Sequence, residues 1–339
     1  MAFFCYDFAR KPCPCRLRER HRERSLKMGW PETHTMKTTL KNRLLRYATL
    51  MRLDRPVGIW LVLAPAMWGL WLGLIGASSE QAEVTAQGFP DLKLLLIFLA
   101  GAVVMRSAGC VANDLADRKL DRGVARTRDR PLASGQVRTS EALGLLAVLL
   151  GVALVLVLFT SAIVIKLACV ALALALVYPF CKRFTNMPQL VLGAAFAMAV
   201  PMAYAAQSGA ITTPVWLVFT GVLLWTVAYD TFYAMADRQD DLRTGIKSTA
   251  ILFGEADLLV IGSLQALFVV AMILAGLRFG FGFLYYLSLL AVGGLFYWQH
   301  NRAQSRKPDD CLMAFKNNQW VGLVVWLGIA AESALGTAT

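Results

Sequence analysis

The chain of 339 residues is 57% apolar and 17% charged, whereas soluble globular domains average about 45–50% apolar and about 25% charged residues. These values exclude an ordinary water-soluble fold and a disordered, low-complexity chain. The seven cysteines are odd in number and scattered, which excludes a secreted disulfide scaffold and predicts reduced thiols. We therefore expect an all-α protein that crosses a membrane several times.

Long uncharged segments occupy most of the chain. Residues 57–77 and 191–208 contain no charged side chain, and each is about long enough to cross the roughly 30 Å hydrocarbon core of a bilayer. A hydropathy window of about 19 residues predicts spans throughout the chain. The nine predicted spans are 57–77, 94–112, 142–159, 162–180, 188–208, 211–229, 257–277, 279–299 and 319–338.

Basic residues are distributed unevenly, and this predicts the orientation of the chain. Of the 34 Lys and Arg residues, 30 lie in the N-terminal segment or in alternate loops between the predicted spans. Because basic residues stay on the cytoplasmic side, the N-terminus is predicted to be cytoplasmic. With nine spans the C-terminus then lies on the opposite side, whereas an eight- or ten-span chain would disrupt the alternation of charge.

The net charge of +12 is concentrated near the N-terminus. Residues 1–56 carry 14 basic and 5 acidic side chains, and so contribute +9. Residues 1–43 are predicted to be a basic, poorly ordered cytoplasmic tail that contacts membrane lipid, with no nucleic-acid partner. The acidic residues are atypical of a mitochondrial transit peptide, which favours a bacterial inner membrane over a mitochondrial one. Residues 44–339 form the predicted transmembrane domain.

Two groups of aspartates follow the second and the sixth predicted spans. The first group is Asp114, Asp117 and Asp121, and the second is Asp230, Asp237 and Asp241. At about 100° per helical residue, the first group falls within an arc of roughly 60° and the second within about 40°. The charge distribution places both groups on the cytoplasmic side, where they are predicted to face each other.

The clustered carboxylates indicate a magnesium site. Like charges on one helix face repel each other unless a cation neutralises them, and Mg²⁺ prefers oxygen ligands, including water and substrate phosphates. Two such groups predict metal ions that bridge to a diphosphate. The basic residues nearby either bind the same anion or only set the topology. They are Lys119, Arg122, Arg126, Arg128, Arg130, Lys182, Arg183, Arg243 and Lys247.

Other kinds of site are disfavoured. The histidines, His21, His34 and His300, lie outside the predicted spans, which excludes bis-histidine haem ligation within the membrane. No glycine-rich phosphate loop is present. Residues 121–126 faintly match the opening of the CDP-alcohol phosphotransferase motif, but the aspartates that should follow are missing. A cation-coupled transporter would carry its acidic residues near the membrane midplane rather than at one face.

The segments around both aspartate groups resemble the two signatures of the UbiA-type intramembrane aromatic prenyltransferases. The first signature is matched by the run Asn113-Asp114-x-x-Asp117-x-x-x-Asp121 and by residues 126–135. The second is matched by residues 230–241 and 245–250. The branch that acts on 4-hydroxybenzoate is the most similar, because residues 52–58 and 178–185 also fit it. The resemblance covers about residues 44–338 and implies nine helices around a central cavity, with a cytoplasmic cap and a lateral opening to lipid.

The resemblance also implies an activity and a set of site residues. The activity is Mg²⁺-dependent transfer of a polyprenyl group from a polyprenyl diphosphate to 4-hydroxybenzoate, in ubiquinone biosynthesis. The implied metal ligands are Asn113, Asp114, Asp117, Asp121, Asp237 and Asp241. The implied catalytic residues are Asp230, which accepts the phenol or ring proton, Asp114 and Asp117. The implied diphosphate-binding residues are Lys119, Arg126, Arg130, Tyr178, Lys182, Arg183 and Lys247.

The residues that bind the aromatic acceptor are predicted less completely than those that bind the diphosphate. Arg52 and Arg55 lie at the cytoplasmic mouth of the first predicted span. One of them either binds the carboxylate of 4-hydroxybenzoate or only snorkels to the interface. Naphthoate, homogentisate and haem acceptors stay open within the family, and the prenyl chain length and the oligomeric state are not predicted.

Overall fold

A computed structural model describes residues 32–76, 88–121 and 127–335, with side chains from residue 41 onward except those of residues 119–121. The regular secondary structure in these ranges is helical. The chain divides into two units, Met1–Asn42 and Arg43–Thr339. Most of the predicted tail lies outside the described residues, and its last part belongs to a helix that begins at Glu32.

Twelve α-helices and one short 3-10 helix are present in the described residues. They are α1 (Glu32–Leu50), α2 (Val57–Ile75), α3 (Leu92–Asp121), α4 (Thr139–Leu158), α5 (Ala162–Phe184), α6 (Pro188–Ala197), α7 (Ala199–Ser208), α8 (Thr213–Thr244), α9 (Thr249–Phe253), the 3-10 helix (Gly254–Ala256), α10 (Asp257–Phe279), α11 (Phe283–Ala303) and α12 (Pro308–Leu335). Only Met198 separates α6 from α7. Pro201 has no N–H to donate to the carbonyl of Ala197, which accounts for the break.

Helices lie at each of the nine predicted spans, but they do not all have the composition of a membrane span. Seven segments in the described residues are both long enough and apolar enough to cross a membrane. The helices α11 and α12 are long enough but fall outside this group, because polar residues such as Gln299 and Asn318 interrupt them. The all-helical fold is confirmed, whereas the count of nine spans, the central cavity and the cytoplasmic cap stay predictions.

Tryptophan packing fixes the distance between α2, α8 and α12. Trp68 stacks on Trp225 with ring centroids 5.4 Å apart. The Trp68 Nε1 donates to the carbonyl of Gly322 at 3.0 Å, and the Trp225 Nε1 donates to Asn318 Oδ1 at 2.8 Å. A Cβ on Gly322 would lie 2.7 Å from the Ala64 Cβ. The close approach of α12 to α2 therefore requires glycine at this position.

The helices differ strongly in how much of their surface the protein itself covers. In the membrane segment of α2, 67% of the residues are buried, and in that of α8, 61% are. The corresponding shares are 6% for α4 and 11% for α5. Since all four are apolar, α2 and α8 form the interior of the bundle, whereas α4 and α5 lie at its periphery with few fully buried side chains.

A buried ionic contact joins α8 to the start of α10 and to the turn between α11 and α12. The carboxylate of Asp257 is fully buried and binds Arg238 and the Arg306 Nη2, the latter at 3.0 Å. The Arg306 Nη2 also donates to the carbonyl of Glu255 at 2.8 Å. The hydrogen bond to Asp257 raises the pKa of the Arg306 guanidinium. Sequence patterns do not indicate this contact, because its members are far apart in the chain.

We expect the substitution Asp257→Asn to destabilise the fold. It keeps the size of the side chain but leaves two arginines without their shared carboxylate. Breaking a buried ion pair typically costs about 3–5 kcal/mol, and we expect about 3 kcal/mol because both arginines are partly exposed. Thermal unfolding in detergent would measure the loss. Asp129→Asn, at an exposed loop position, is the matched control, and equal unfolding temperatures for both variants would contradict the expectation.

Candidate active site

Asn113 and Asp117 lie one turn apart near the end of α3, and Lys182 of α5 contacts both. The Lys182 Nζ donates to Asn113 Oδ1 at 3.1 Å and to Asp117 Oδ2 at 3.3 Å. Asp117 is buried, whereas Lys182 keeps 23% of its side-chain surface exposed. A partly exposed ammonium group held by two oxygen atoms is accessible to an anion. The structure thus brings one member of the predicted diphosphate-binding set to the first aspartate group.

Asp114 has different partners from Asp117. Its side chain is 1% exposed, and its Oδ1 accepts hydrogen bonds from Arg52 at 2.7 Å and from Arg130 at 3.1 Å. Burial alone would lower the pKa of the Arg52 guanidinium, but the charge of Asp114, the other nearby groups and the hydrogen bond to Asp114 together outweigh it, and the pKa of Arg52 is raised. Arg52 therefore stays charged beside the first aspartate group.

The segment after α3 places Arg130 by a series of tight turns. The backbone N–H of Arg130 donates to the carbonyl of Thr127 at 3.0 Å, and the N–H of Ser134 donates to the carbonyl of Arg130 at 2.9 Å. Leu132 and Val137 are buried against α1 and α3. These apolar anchors hold the backbone on the bundle and leave the Arg130 side chain directed to Asp114.

The second aspartate group lies in the C-terminal half of α8, and its first member, Asp230, interacts with Lys182 of α5. Asp230 is half-buried and interacts electrostatically with Lys182, Arg106 and Asp237. Lys182 also interacts with Asp117. The ammonium group of Lys182 therefore lies between the two aspartate groups, which the fold brings to one site although they are more than a hundred residues apart.

The turn that follows α8 folds back onto the end of α5. Gly245 ends α8 with φ of 71°, a conformation that glycine adopts without strain. The N–H of Lys247 then donates to the carbonyl of Lys182 at 3.1 Å. The Lys247 Nζ donates to the carbonyl of Phe184 at 3.4 Å. This predicted diphosphate-binding residue thus lies at the edge of the site with its side chain exposed.

The other predicted site residues differ in their exposure and in the contacts that they make. The Lys182 Nζ lies 5.5 Å from the ring centroid of Tyr178, so Tyr178 is in the site. The exposed Arg183 donates to the carbonyl of Ala116 at 2.9 Å. Arg55 is 75% exposed, and its only ion pair in the described residues is with its neighbour Asp54 at 3.6 Å, so its side chain makes no ion pair with either aspartate group there. The side chains of Lys119, Asp121 and Arg126 lie outside the described residues.

Arg106 was not assigned a role by the sequence analysis, although it lies within the predicted membrane span of α3. Its charge interacts with Asp230, Tyr178 and Tyr229. It packs under α2, where a Cβ on Gly58 would lie 2.2 Å from the Arg106 Nε. Among the described residues, no carboxylate lies within ion-pair distance of Arg106. An arginine inside a span is itself a signal of function, and it precedes Asn113 by two helical turns on the same face.

The donors beside Lys182 suit Mg²⁺ that shares its ligands with a substrate. Asn113 and Asp117 offer amide and carboxylate oxygens, and both oxygens face the ammonium group of Lys182. Among the described side chains, no three His, Cys, Asp or Glu residues are placed to hold a metal ion alone. Mg²⁺ commonly uses only one or two carboxylates and completes its shell with water and phosphate oxygens. The residues therefore fit Mg²⁺ that is bound together with a diphosphate.

Comparison with curated proteins finds close relatives along nearly the whole chain. The 4-hydroxybenzoate octaprenyltransferase of Saccharophagus degradans is 51% identical over 308 residues, which cover 89% of this chain and 99% of the relative. The protein of the same name from Ectopseudomonas mendocina is 50% identical over 298 residues, which cover 88% of this chain and 97% of the relative.

Solved structures share the fold. An apo UbiA homologue from Aeropyrum pernix K1 superposes with a TM-score of 0.66 at 25% identity, over 78% of this chain and 97% of the other. A UbiA homologue from Archaeoglobus fulgidus bound to GPP and Mg²⁺ superposes with a TM-score of 0.62 at 19% identity, over 86% of this chain and 99% of the other. A model of the UbiA prenyltransferase family matches residues 62–323. The chain therefore belongs to the UbiA prenyltransferase family.

Proposed function

We propose that the protein transfers a polyprenyl group from an allylic polyprenyl diphosphate to 4-hydroxybenzoate and releases diphosphate. The new bond forms at the ring carbon ortho to the hydroxyl group, as a step of ubiquinone biosynthesis. The observation that carries this proposal is the sequence identity of 51% and 50% to two 4-hydroxybenzoate octaprenyltransferases. The matches cover 88–89% of this chain and 97–99% of the relatives. The site supports it, because acidic and basic groups meet there in the pattern that a diphosphate and Mg²⁺ require.

The donor diphosphate binds at the cations between the two aspartate groups. Lys182 contacts the anion directly, and Arg130 and Lys247 add positive charge around it. When bound, Mg²⁺ would be held by Asn113, Asp114, Asp117 and Asp121 from α3 and by Asp237 and Asp241 from α8, and it would supply electrostatic stabilisation of the departing diphosphate.

Cleavage of the carbon–oxygen bond leaves an allyl cation, which the ring of the acceptor attacks. The para hydroxyl group makes the ortho carbon electron-rich, and Asp230 accepts the phenol or ring proton so that aromaticity is restored. Preorganised charge at Lys182 and Arg130 stabilises the diphosphate as negative charge develops on it. In this mechanism Lys182 and Arg130 act on the donor diphosphate, and Asp230 acts on the acceptor.

A product assay tests the proposed function. Purified protein is incubated with Mg²⁺, 4-hydroxybenzoate and a series of polyprenyl diphosphates, and the products are identified by mass. We expect a C-prenylated 4-hydroxybenzoate, and naphthoate and homogentisate are included as competing acceptors. Selective prenylation of a competing acceptor, or no prenylated product with any donor in the series, would contradict the proposal.

Arg106 is the arginine that the geometry favours for the carboxylate of 4-hydroxybenzoate. Its charge interacts with that of Asp230, whereas Arg52 already binds Asp114 and Arg55 is exposed. A hydrogen bond to a charged group contributes about 1.5–3 kcal/mol. We therefore expect Arg106→Ala to raise the KM for 4-hydroxybenzoate about tenfold to a hundredfold, with little change in the donor KM.

Steady-state kinetics with both substrates would measure this effect, and Arg55→Ala is the matched control. Methyl 4-hydroxybenzoate, which lacks the carboxylate charge, provides a second check. We expect the wild-type protein to prefer the acid strongly over the ester and Arg106→Ala to lose that preference. A preference that survives in Arg106→Ala would show that another residue binds the carboxylate.

The positive charge distribution supports a multi-pass protein of the bacterial inner membrane with a cytoplasmic N-terminus and a cytoplasmic site. We expect single cysteines at Ser134 and Ser305, in a cysteine-free background, to be labelled from the cytoplasmic side. A cysteine at Ser161, between α4 and α5, should be labelled from the opposite side. All three serines are exposed. Labelling of Ser134 and Ser161 from the same side would contradict the proposed topology.

A further inference from the structure

The end of α8 that carries Asp237 and Asp241 extends beyond the apolar packing of that helix. In α8, which the structure describes throughout, the last buried side chain is that of Met235. Leu242, which follows Asp241 directly, is 62% exposed. Both aspartates are proposed ligands of Mg²⁺, which demands a nearly ideal octahedral arrangement of its ligands. Apolar burial alone does not fix this helix end with the accuracy that such a role requires.

Arg238 supplies a polar contact at this helix end. Its Nη2 donates to the carboxylate of Asp257 at the start of α10 and to the carbonyl of Gly254 at 3.1 Å. Asp257 is fully buried and is bound a second time by the Arg306 Nη2 at 3.0 Å. A guanidinium is planar and carries its donors in a fixed geometry, so two acceptors define its orientation. The contact therefore restrains the end of α8 relative to α10.

The same contact closes a segment of the chain at the edge of the site. Arg238 and Asp257 are 19 positions apart, and residues 239–256 between them contain the last turn of α8 and Lys247. The N–H of Lys247 donates to the carbonyl of Lys182 at 3.1 Å. The segment is thus attached at both ends to the Arg238–Asp257 pair and in its middle to the end of α5.

Arg238 lies on a different side of α8 from the two aspartates. At about 100° per residue, its side chain is roughly 60–100° around the helix from those of Asp237 and Asp241. We infer that Arg238, held by Asp257, is a positioning residue that keeps these two aspartates in place opposite Lys182. This inference rests on the proposed function for the identity of the donor and the metal ion. It gives the Arg238–Asp257 pair a role in donor binding in addition to its contribution to stability.

The two arginines that share Asp257 allow a matched test. Arg238→Gln and Arg306→Gln each remove one guanidinium and leave Asp257 paired with the other. A cluster that only stabilises the fold would respond equally to both changes, whereas Arg238 alone lies on the helix of the two aspartates. Binding of geranyl thiolodiphosphate, an unreactive donor analogue, is measured by calorimetry over a range of Mg²⁺ concentrations. Unfolding temperatures are measured in parallel.

We expect Arg238→Gln to weaken analogue binding about tenfold or more and to raise the Mg²⁺ concentration that half-saturates this binding. Residues that orient metal ligands without touching the metal typically contribute about 10–100-fold to metal affinity. In Arg306→Gln both quantities should stay within about twofold of wild type. The unfolding temperature should fall in both variants. The KM for 4-hydroxybenzoate in Arg238→Gln should stay near the wild-type value, because the inferred role concerns the donor.

Two results would overturn the inference. One is an effect of Arg306→Gln on analogue binding or on the Mg²⁺ requirement that equals or exceeds the effect of Arg238→Gln. The other is unchanged analogue binding in Arg238→Gln, which, with a lowered unfolding temperature, would mean a structural role alone.

If either glutamine variant fails to fold, Arg238→Lys and Arg306→Lys replace the pair. Lysine keeps the charge beside Asp257 but lacks the planar group that binds two acceptors. We therefore expect Arg238→Lys to bind the analogue about threefold or more weakly than Arg306→Lys, and equal binding would overturn the inference. Turnover by the wild-type protein is measured in the same preparations. Its absence would refute the proposed function, whereas analogue binding by the variants reports on Arg238.

Discussion

Asp117→Asn is expected to lower turnover by about a hundredfold or more at saturating substrates. Asparagine keeps the size and one oxygen ligand but removes the negative charge that faces Lys182 and, in the proposed mechanism, Mg²⁺. Losing one close contact that stabilises developing charge costs roughly 3 kcal/mol or more, which corresponds to about a hundredfold in rate. Single-turnover kinetics would measure the chemical step directly. Asp237→Asn should behave in the same way from the opposite helix.

Two controls accompany this prediction. Asp129→Asn changes an exposed aspartate just beyond the end of α3 and should leave turnover unchanged. Unfolding temperatures show whether the Asp117 and Asp237 variants are folded. If both variants are folded and keep near-normal turnover, the metal and diphosphate roles of the two aspartate groups are wrong.

Removing divalent metal ions with EDTA is expected to abolish turnover, and added Mg²⁺ is expected to restore it. Mg²⁺ commonly uses only one or two carboxylates and completes its shell with water and phosphate oxygens, so we also expect the metal ion to bind weakly without donor. Titration of Mg²⁺ by calorimetry, with and without geranyl thiolodiphosphate, would measure this dependence. The affinity for Mg²⁺ should be higher when the analogue is present.

Thermal unfolding with and without EDTA is the control for a purely structural effect of metal removal. The unfolding temperature should change little on metal removal, because buried contacts such as the Asp257–Arg238 pair hold the bundle together. Full turnover in metal-free buffer would contradict the metal requirement. Equal affinity for Mg²⁺ with and without the analogue would contradict a metal ion shared with the diphosphate.

Local sequence patterns predict the helices and the aspartate groups well. Spacings of three and four residues put Asp114 and Asp117 on one helix, and the structure has them on the last turns of α3. The apolar segments locate the helices, since burial in a membrane demands long uncharged runs. Lys182 is among the basic residues that the sequence indicates, but the sequence alone does not distinguish a role in anion binding from one in setting the topology.

Contacts between residues far apart in the chain could not be predicted from the sequence. Asp114 pairs with Arg52 across 62 positions of the chain, and the left-handed backbone of Arg52 has no signal in the residue types there. Asp257 meets Arg306 across 49 positions of the chain, and periodicity carries no information on such a pair. Arg106 could have been found, because a charged residue within a span requires a reason, but its neighbours become known only when α3, α5 and α8 are placed together.

The sparse burial of α5 makes the bilayer part of the active site. Lys182 lies near the end of this helix, and only 11% of the residues in its membrane segment are buried within the protein. Its depth and tilt are therefore set largely by the match between its apolar length and the thickness of the membrane, whereas α8 is held by its neighbours. In detergents or lipids of shorter chain length, we expect the distance between Lys182 and the second aspartate group to change well before the fold is lost.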